Sequence, residues 1–231
     1  MKVFKRSLIL AAGLLAVVAA AQDLWTIKID RKEGSTQKLK MEGKVAIDGL
    51  GEGTFTGTIN SKILKVKEDG SYVESSKTSL AINFGGMEMQ QDQQGESTYS
   101  KIGECLSSTS EEDTDGISST RMSRFQSMVM PEKPIKEGDE WEFISKGSKT
   151  NGGSDVKYNY KFEKTMDLNG KTVAVISCKA KEDREEGITG EMTYYVAKSG
   201  RLEKGTFKLK GVEVPGAPGK LNFDTTVTAV D

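Results

Sequence analysis

From Leu24 onward, apolar and polar residues alternate with a period of two. Trp25, Ile27 and Ile29 alternate with Thr26, Lys28 and Asp30. Leu39, Met41, Val45 and Ile47 share one parity, with polar residues and Gly43 between them. The clearest run sets Val156, Tyr158, Tyr160, Phe162 and Met166 against Lys157, Asn159, Lys161, Glu163 and Thr165. Leu221, Phe223, Thr225, Val227 and Ala229 repeat it near the C-terminus. Successive side chains of a half-buried antiparallel strand point to opposite faces, which requires this period. Residues 173–178 are instead apolar at both parities and rich in β-branched side chains. That composition predicts a strand covered on both faces, the best candidate for a central position.

Turn dipeptides separate these runs. Asp69-Gly70, Asn169-Gly170 and Ser199-Gly200 each supply a glycine for positive φ between strand-like segments and predict three hairpins. Pro215-Gly216-Ala217-Pro218-Gly219 separates the last two strands, since proline cannot donate to a ladder. One segment leans helical: in residues 121–130, Met122, Phe125 and Val129 fall at i, i+3 and i+7 behind Ser119 or Thr120 as caps, with Pro131 to end it. An irregular strand competes with that helix. Before it, residues 107–120 are Ser/Thr-rich and acidic without apolar periodicity and read as a mobile loop. This loop divides residues 22–106 from residues 121–231, and the similar strand-turn-strand organisation on each side suggests a duplicated β unit.

The fold class that follows is mainly β: a curved antiparallel sheet or incomplete barrel of about ten strands with at most one short helix. Ten strands at about 4.8 Å make a sheet roughly 48 Å wide. A ten-residue helix, about 15 Å long, covers only two or three of them. Such a sheet must curl or split into two layers to hide its apolar face.

The N-terminus changes the picture of where this happens. Lys2, Lys5 and Arg6 precede the apolar residues 8–20, and Ala19 and Ala21 form an A-x-A site before Gln22. This is the order of a cleavable secretory signal peptide over residues 1–21, and the apolar run is too short for a membrane span of about 20 residues. No integral membrane segment is expected after cleavage, and no lipid anchor, because no cysteine follows the site. Removing Lys2, Lys5 and Arg6 leaves 30 basic against 34 acidic residues, a net charge of −4. That balance gives no electrostatic reason to bind nucleic acid.

Histidine is absent, which removes the commonest general base, the Ser-His and Cys-His pairs and the usual zinc sites. Paired carboxylates could still hydrolyse glycosides, but the acids lie in hydrophilic runs such as Glu182-Asp183-Arg184-Glu185-Glu186 that read as solvated loop tips. Residues 111–116 resemble part of a calcium loop, yet Met122 stands where the bidentate glutamate belongs. No catalytic residue, metal site or cofactor is therefore expected. Cys105 and Cys178 form one pair in an oxidising compartment; a disulfide is one reading and two buried thiols the other. Met87, Met89, Met122, Met128 and Met130 flank the acidic loop and read either as core filling or as a hydrophobic binding surface.

Met130-Pro131-Glu132-Lys133-Pro134, then Gly138-Asp139-Glu140-Trp141, resembles a group of uncharacterised bacterial exported proteins that share a Pro-x-x-Pro and Gly-Asp-x-Trp pattern ahead of a β-rich half. The resemblance implies a β-rich exported protein and no assigned activity. The two prolines stiffen an extended entry, Gly138 and Asp139 turn the chain, and Trp141 starts a strand with its ring inward. More distantly, the layout is similar to lipoprotein-carrier half-barrels, in which a curved sheet wraps an apolar cavity; this is analogy of fold alone.

The function expected from these readings is non-catalytic binding or carriage of a hydrophobic or lipidic ligand in the cell envelope. Tyr158, Tyr160, Phe162, Phe223, Met122 and Met128 are the candidate ligand contacts. A structural or protein-interaction module using exposed strand edges is the competing reading, and an enzyme comes third.

Overall fold

The computed structural model describes residues 24–111, 113, 117–213 and 219–230. The export segment, the Pro215 to Pro218 run and four residues of the calcium-like loop lie outside the described residues. Within them the chain forms β1 (Thr36–Ile47), β2 (Gly51–Val66), β3 (Tyr72–Phe84), β4 (Met87–Tyr99), β5 (Cys105–Ser110) and α1 (Ile117–Gln126). There follow β6 (Glu140–Ser145), β7 (Val156–Leu168), β8 (Lys171–Glu182), β9 (Thr189–Val196), β10 (Leu202–Val212) and β11 (Leu221–Val230).

All these strands belong to one antiparallel sheet of order β5-β4-β3-β2-β1-β11-β10-β9-β8-β7-β6. Two meanders lie side by side and meet where the first strand pairs with the last, over ten residue pairs from Lys38↔Val230 to Ile47↔Leu221. The sheet is curved and unclosed, with β5 and β6 as its edges among the described residues. It has eleven strands against the ten expected. The turns at Asp69-Gly70, Asn169-Gly170 and Ser199-Gly200 join β2 to β3, β7 to β8 and β9 to β10, and all three glycines have positive φ.

Curvature needs close approach of backbone to side chain, and two glycines on neighbouring strands provide it. A Cβ on Gly43 would lie 2.7 Å from the Phe55 ring and 2.3 Å from the Asp224 carbonyl, and one on Gly53 would lie 2.6 Å from the Phe84 ring. The rings lie over the glycines of the adjacent strand, a device that bends a sheet while keeping its apolar face continuous.

Three sequence expectations are corrected here. Residues 107–120 are not a loop throughout: residues 107–110 belong to β5 and residues 117–120 to α1. Hydroxyls hold this strand where apolar side chains are missing. The Ser108 amide donates to Thr120 Oγ1 (2.8 Å), Thr120 Oγ1 donates to the Ser108 carbonyl (3.0 Å), and Ser97 Oγ donates to Ser108 Oγ (2.8 Å). The helix begins four residues earlier than expected and ends at Gln126, because its N-terminal turn is capped from outside by the Asp113 carboxylate on the Ser119 amide. Trp25, Ile27 and Ile29 lie in no strand; Trp25 makes an isolated bridge to Ile135, which anchors the entry segment across the core.

The 130–141 segment behaves as its residues imply. Gly138 has φ 90° and donates to the Phe162 carbonyl (2.7 Å), the Lys136 amide donates to Asp139 Oδ2 (2.9 Å), and Trp141 lies near the start of β6, stacked on Tyr160 with ring centroids 5.1 Å apart. In β8, Val173, Ala174, Val175 and Ile176 are all buried, as a strand covered on both faces requires. It lies third from the β6 edge, with β11 in the middle of the order.

Candidate functional site

The register lines up inner-face residues in rows that cross the sheet. One row runs Met87, Phe84, Gly53, Val45, Phe223, Leu209, Gly190, Ala180, Tyr158 and Phe143. The next runs Met89, Ile82, Phe55, Gly43, Thr225, Phe207, Met192, Cys178, Tyr160 and Trp141. A third carries Leu80, Gly57, Met41, Val227, Gly205, Tyr194, Ile176 and Phe162. Apolar side chains therefore extend along one face from β4 to β6.

The two arms of these rows differ in what covers them. Over β7 to β10 the chain covers itself: Trp25, Phe125, Met128, Val129, Met130 and Ile135 join Tyr158, Tyr160, Phe162, Ile176 and Tyr194 in one buried core. The tyrosine hydroxyls meet the chain end of α1. Tyr158 donates to the Arg124 carbonyl (2.9 Å), Tyr160 accepts from the Val129 amide (3.1 Å), and Tyr194 donates to the Ser127 carbonyl (3.4 Å). Burial pushes all three hydroxyls above their ordinary pKa, so they remain protonated hydrogen-bonding groups. Of the candidate ligand contacts, Tyr158, Tyr160, Phe162 and Met128 are thus buried against the chain's own residues, while Met122 and Phe223 are partly buried at the margin of that core.

Over β1 to β4 the same rows are only partly covered: Val45 and Phe55 are buried, and the residues around them are half-exposed. Leu39, Met41, Ile59, Leu80, Ile82 and Phe84 are neither fully buried nor fully exposed, and Met87 and Met89 are 66% and 50% exposed. Phe223 sits at the junction, paired to Val45 on one side and Leu209 on the other. The methionines divide accordingly: Met128 and Met130 fill the core and Met87 and Met89 face outward from it. Reading alternation along single strands misses Leu80, Ile82, Phe84 and Phe55. The register that pairs Phe55 with Ile82, Ile82 with Met89 and Phe84 with Met87 places them on one face.

Cys105 and Cys178 are two free buried thiols and not a disulfide. Burial pushes each thiol up to about 12, which leaves both protonated and poor nucleophiles. The outer face carries a groove of about 630 Å³ over β6 to β10, lined by Glu140, Lys161, Glu163, Lys179, Glu191 and Lys208. Three of these charges have partners: Lys161 pairs with Glu163 (3.2 Å), which also accepts from Ser177 (2.7 Å), and Lys208 pairs with Asp224 (3.7 Å).

Two buried arginines fasten α1 to the sheet. Arg121 holds the completely buried Glu182 through Nε and Nη2 (2.9 and 2.8 Å) and reaches Glu213 through Nη1 (2.8 Å). The Ile188 amide also donates to Glu182 (3.0 Å). Burial is the largest influence on Glu182 and raises its pKa. The Arg121 hydrogen bonds, the Ile188 amide and the charges of Arg121 and Arg184 outweigh it and hold the carboxyl below 4.5. A carboxyl depressed on folding stabilises the fold above its unfolded pKa, and this stability disappears as pH falls through the folded value. Glu213, lowered chiefly by its hydrogen bond to Arg121, acts in the same direction. Urea midpoints should therefore fall as pH drops below about 4.5, and Glu182→Gln should start lower at neutral pH and lose less on acidification. Parallel profiles for the two proteins would contradict this assignment.

No family model matches the chain, and none of the curated proteins matches it in sequence. Among solved structures it is similar to a β-barrel-like protein of domain family DUF1849 from Brucella abortus, with 7% identity and a TM-score of 0.46 over 90% of this chain and 98% of that one. It is also similar to a Bacteroides fragilis protein assigned to export, with a YmcC-like fold, at 10% identity and a TM-score of 0.32 over 89% of this chain and 97% of that one. A third similar structure is DynF of the dynemicin biosynthesis pathway of Micromonospora chersina, at 11% identity and a TM-score of 0.31 over 98% and 92% of the two chains.

Proposed function

We propose that this is a non-catalytic exported protein that binds or carries a hydrophobic or lipidic ligand on the inner face of β1 to β4. One observation carries the reading: the apolar rows that form the core under α1 continue over four further strands, where Val45 and Phe55 are buried but Met41, Leu80, Ile82 and Phe84 are left half-exposed. A soluble protein rarely leaves a contiguous apolar surface open without a partner for it. From Phe84 to Thr78 the strand advances about 20 Å, the length of a long acyl chain. Leu80, Ile82 and Phe84 would line its path beside the buried Phe55, with Met87 and Met89 adapting at the open end. Phe223 and Met122 are the sequence candidates that border this surface, whereas Tyr158, Tyr160, Phe162 and Met128 support it from the packed core.

The test is a photoreactive fatty acid irradiated with the folded protein and mapped by peptide mass spectrometry. Adducts are expected in residues 39–59 and 80–89. Adducts confined to residues 156–162, or no more adduct than on urea-unfolded protein, would overturn the reading.

A further inference from the structure

The first half of β4 presents a strand edge that no strand covers among the described residues. β3 pairs with β4 along its whole length, from Phe84↔Met87 to Tyr72↔Tyr99. On the other side β5 pairs only from Gly95↔Ser110 to Tyr99↔Cys105. The Glu111 amide donates to the Gln94 carbonyl at 3.3 Å, so Gln94 directs its main-chain groups toward the β5 side. Main-chain direction alternates along an antiparallel strand. Asp92, Gln90 and Glu88 therefore direct their amides and carbonyls the same way, with no strand beside them among the described residues, and all three residues are exposed.

The side chains along this edge have a pattern of their own. Met87 and Met89 stand on the inner face in line with Phe84 and Ile82, and Glu88, Gln90 and Asp92 stand on the outer face. From Thr78 to Ser100 the chain carries Glu88, Asp92 and Glu96 and no lysine or arginine. Exposed edges are commonly blocked by lysine, proline or a short strand, and none of these interrupts residues 87–94. We infer that this edge receives an extended segment of a partner protein, which adds a strand beside β4 with basic residues on the outer face and apolar residues on the inner face.

The charge pattern selects this occupant over a second copy of the chain. The fullest antiparallel self-pairing that joins the outward-directed residues is centred on Gln90 and sets Glu88 opposite Asp92 twice. Like charges directly opposite across a ladder destabilise it. A basic strand instead finds a carboxylate at alternate outer positions, main-chain partners at Glu88, Gln90 and Asp92, and the Met87 and Met89 side chains as an adaptable apolar contact.

The probe is a synthetic peptide of about seven residues that alternates lysine with valine, with a glutamate–valine peptide of equal length as its counterpart. The lysine peptide is expected to bind saturably and to slow amide exchange at Glu88, Gln90 and Asp92, and the glutamate peptide to bind about tenfold or more weakly. Gln90→Pro removes one outward amide at a position where an edge strand accepts proline, so it should keep the unfolding midpoint and weaken the lysine peptide about tenfold. Glu88→Lys combined with Asp92→Lys should reverse the preference between the two peptides, and this arm stands whether or not the proline variant folds. Equal binding of both peptides, or a preference that survives the double charge reversal, would overturn the proposal.

Discussion

Arg124→Met is expected to destabilise the protein by about 3–5 kcal/mol, the scale of leaving a buried charged network without one member. The Arg124 side chain is completely buried on α1. It donates from Nε to Ser145 Oγ (3.1 Å), from Nη1 to the Asn151 and Ser154 carbonyls (3.1 and 3.0 Å), and from Nη2 to the Ser145 carbonyl (2.7 Å). A rigid planar fork satisfies these groups at once, and neither methionine nor a single ammonium reproduces it. Methionine fills much of the volume and leaves three carbonyls without this donor, which costs about 1–3 kcal/mol for each group that stays dry. For a chain of this length the melting midpoint should fall by roughly 10 °C. Amide exchange should accelerate in α1 and in residues 145–154 together, since the guanidinium is the link between them. A variant that melts with the parent, or exchange that changes only inside α1, would contradict this role.

Legibility of the fold followed burial. β7 was readable because its inner residues from Val156 to Phe162 are buried and its outer ones are polar or charged, so Tyr158, Tyr160 and Phe162 alternate cleanly with Asn159 and Lys161. The hairpin glycines were readable because positive φ leaves few other choices. β4 was not, because residues 87–94 are exposed throughout and nothing selects apolar residues on such a strand. In β5 and α1 the physical cause is different. Ser108 and Thr120 are held by hydrogen bonds, and Arg121 and Arg124 turn a charged face of the helix inward. Apolar periodicity carries no trace of either arrangement, so the strand read as a loop and the helix as starting late.

The same physics shaped the choice of site residues. The strongest alternation marks the best-covered strands, so Tyr158, Tyr160, Phe162 and Met128 stood out as ligand contacts, and all four lie in the packed core. A half-exposed face is under weaker pressure to alternate. Here it is further diluted by Gly43, Gly53 and Gly57, whose missing side chains make room for Phe55, Phe84 and Leu80. Only the register between β1, β2, β3 and β4 shows that these residues form one surface.

Leu80→Asp should weaken uptake of a fluorescent fatty acid by about tenfold or more, because a carboxylate in an apolar contact either stays hydrated and excludes the chain or is buried at a cost of several kcal/mol. Leu80 lies in the middle of the half-exposed surface, beside Gly57 on β2 and Gln91 on β4. Ala81 is its neighbour in sequence, exposed on the opposite face, so Ala81→Asp adds the same charge to the same strand without touching the inner rows. Titration of the parent and these two variants by the fluorescence of the bound acyl chain is the most direct test of the ligand surface. The account predicts saturable binding by the parent and by Ala81→Asp and a loss of about tenfold or more in Leu80→Asp, with all three proteins retaining one unfolding transition. No saturable binding by the parent, or equal binding by all three folded proteins, would contradict it.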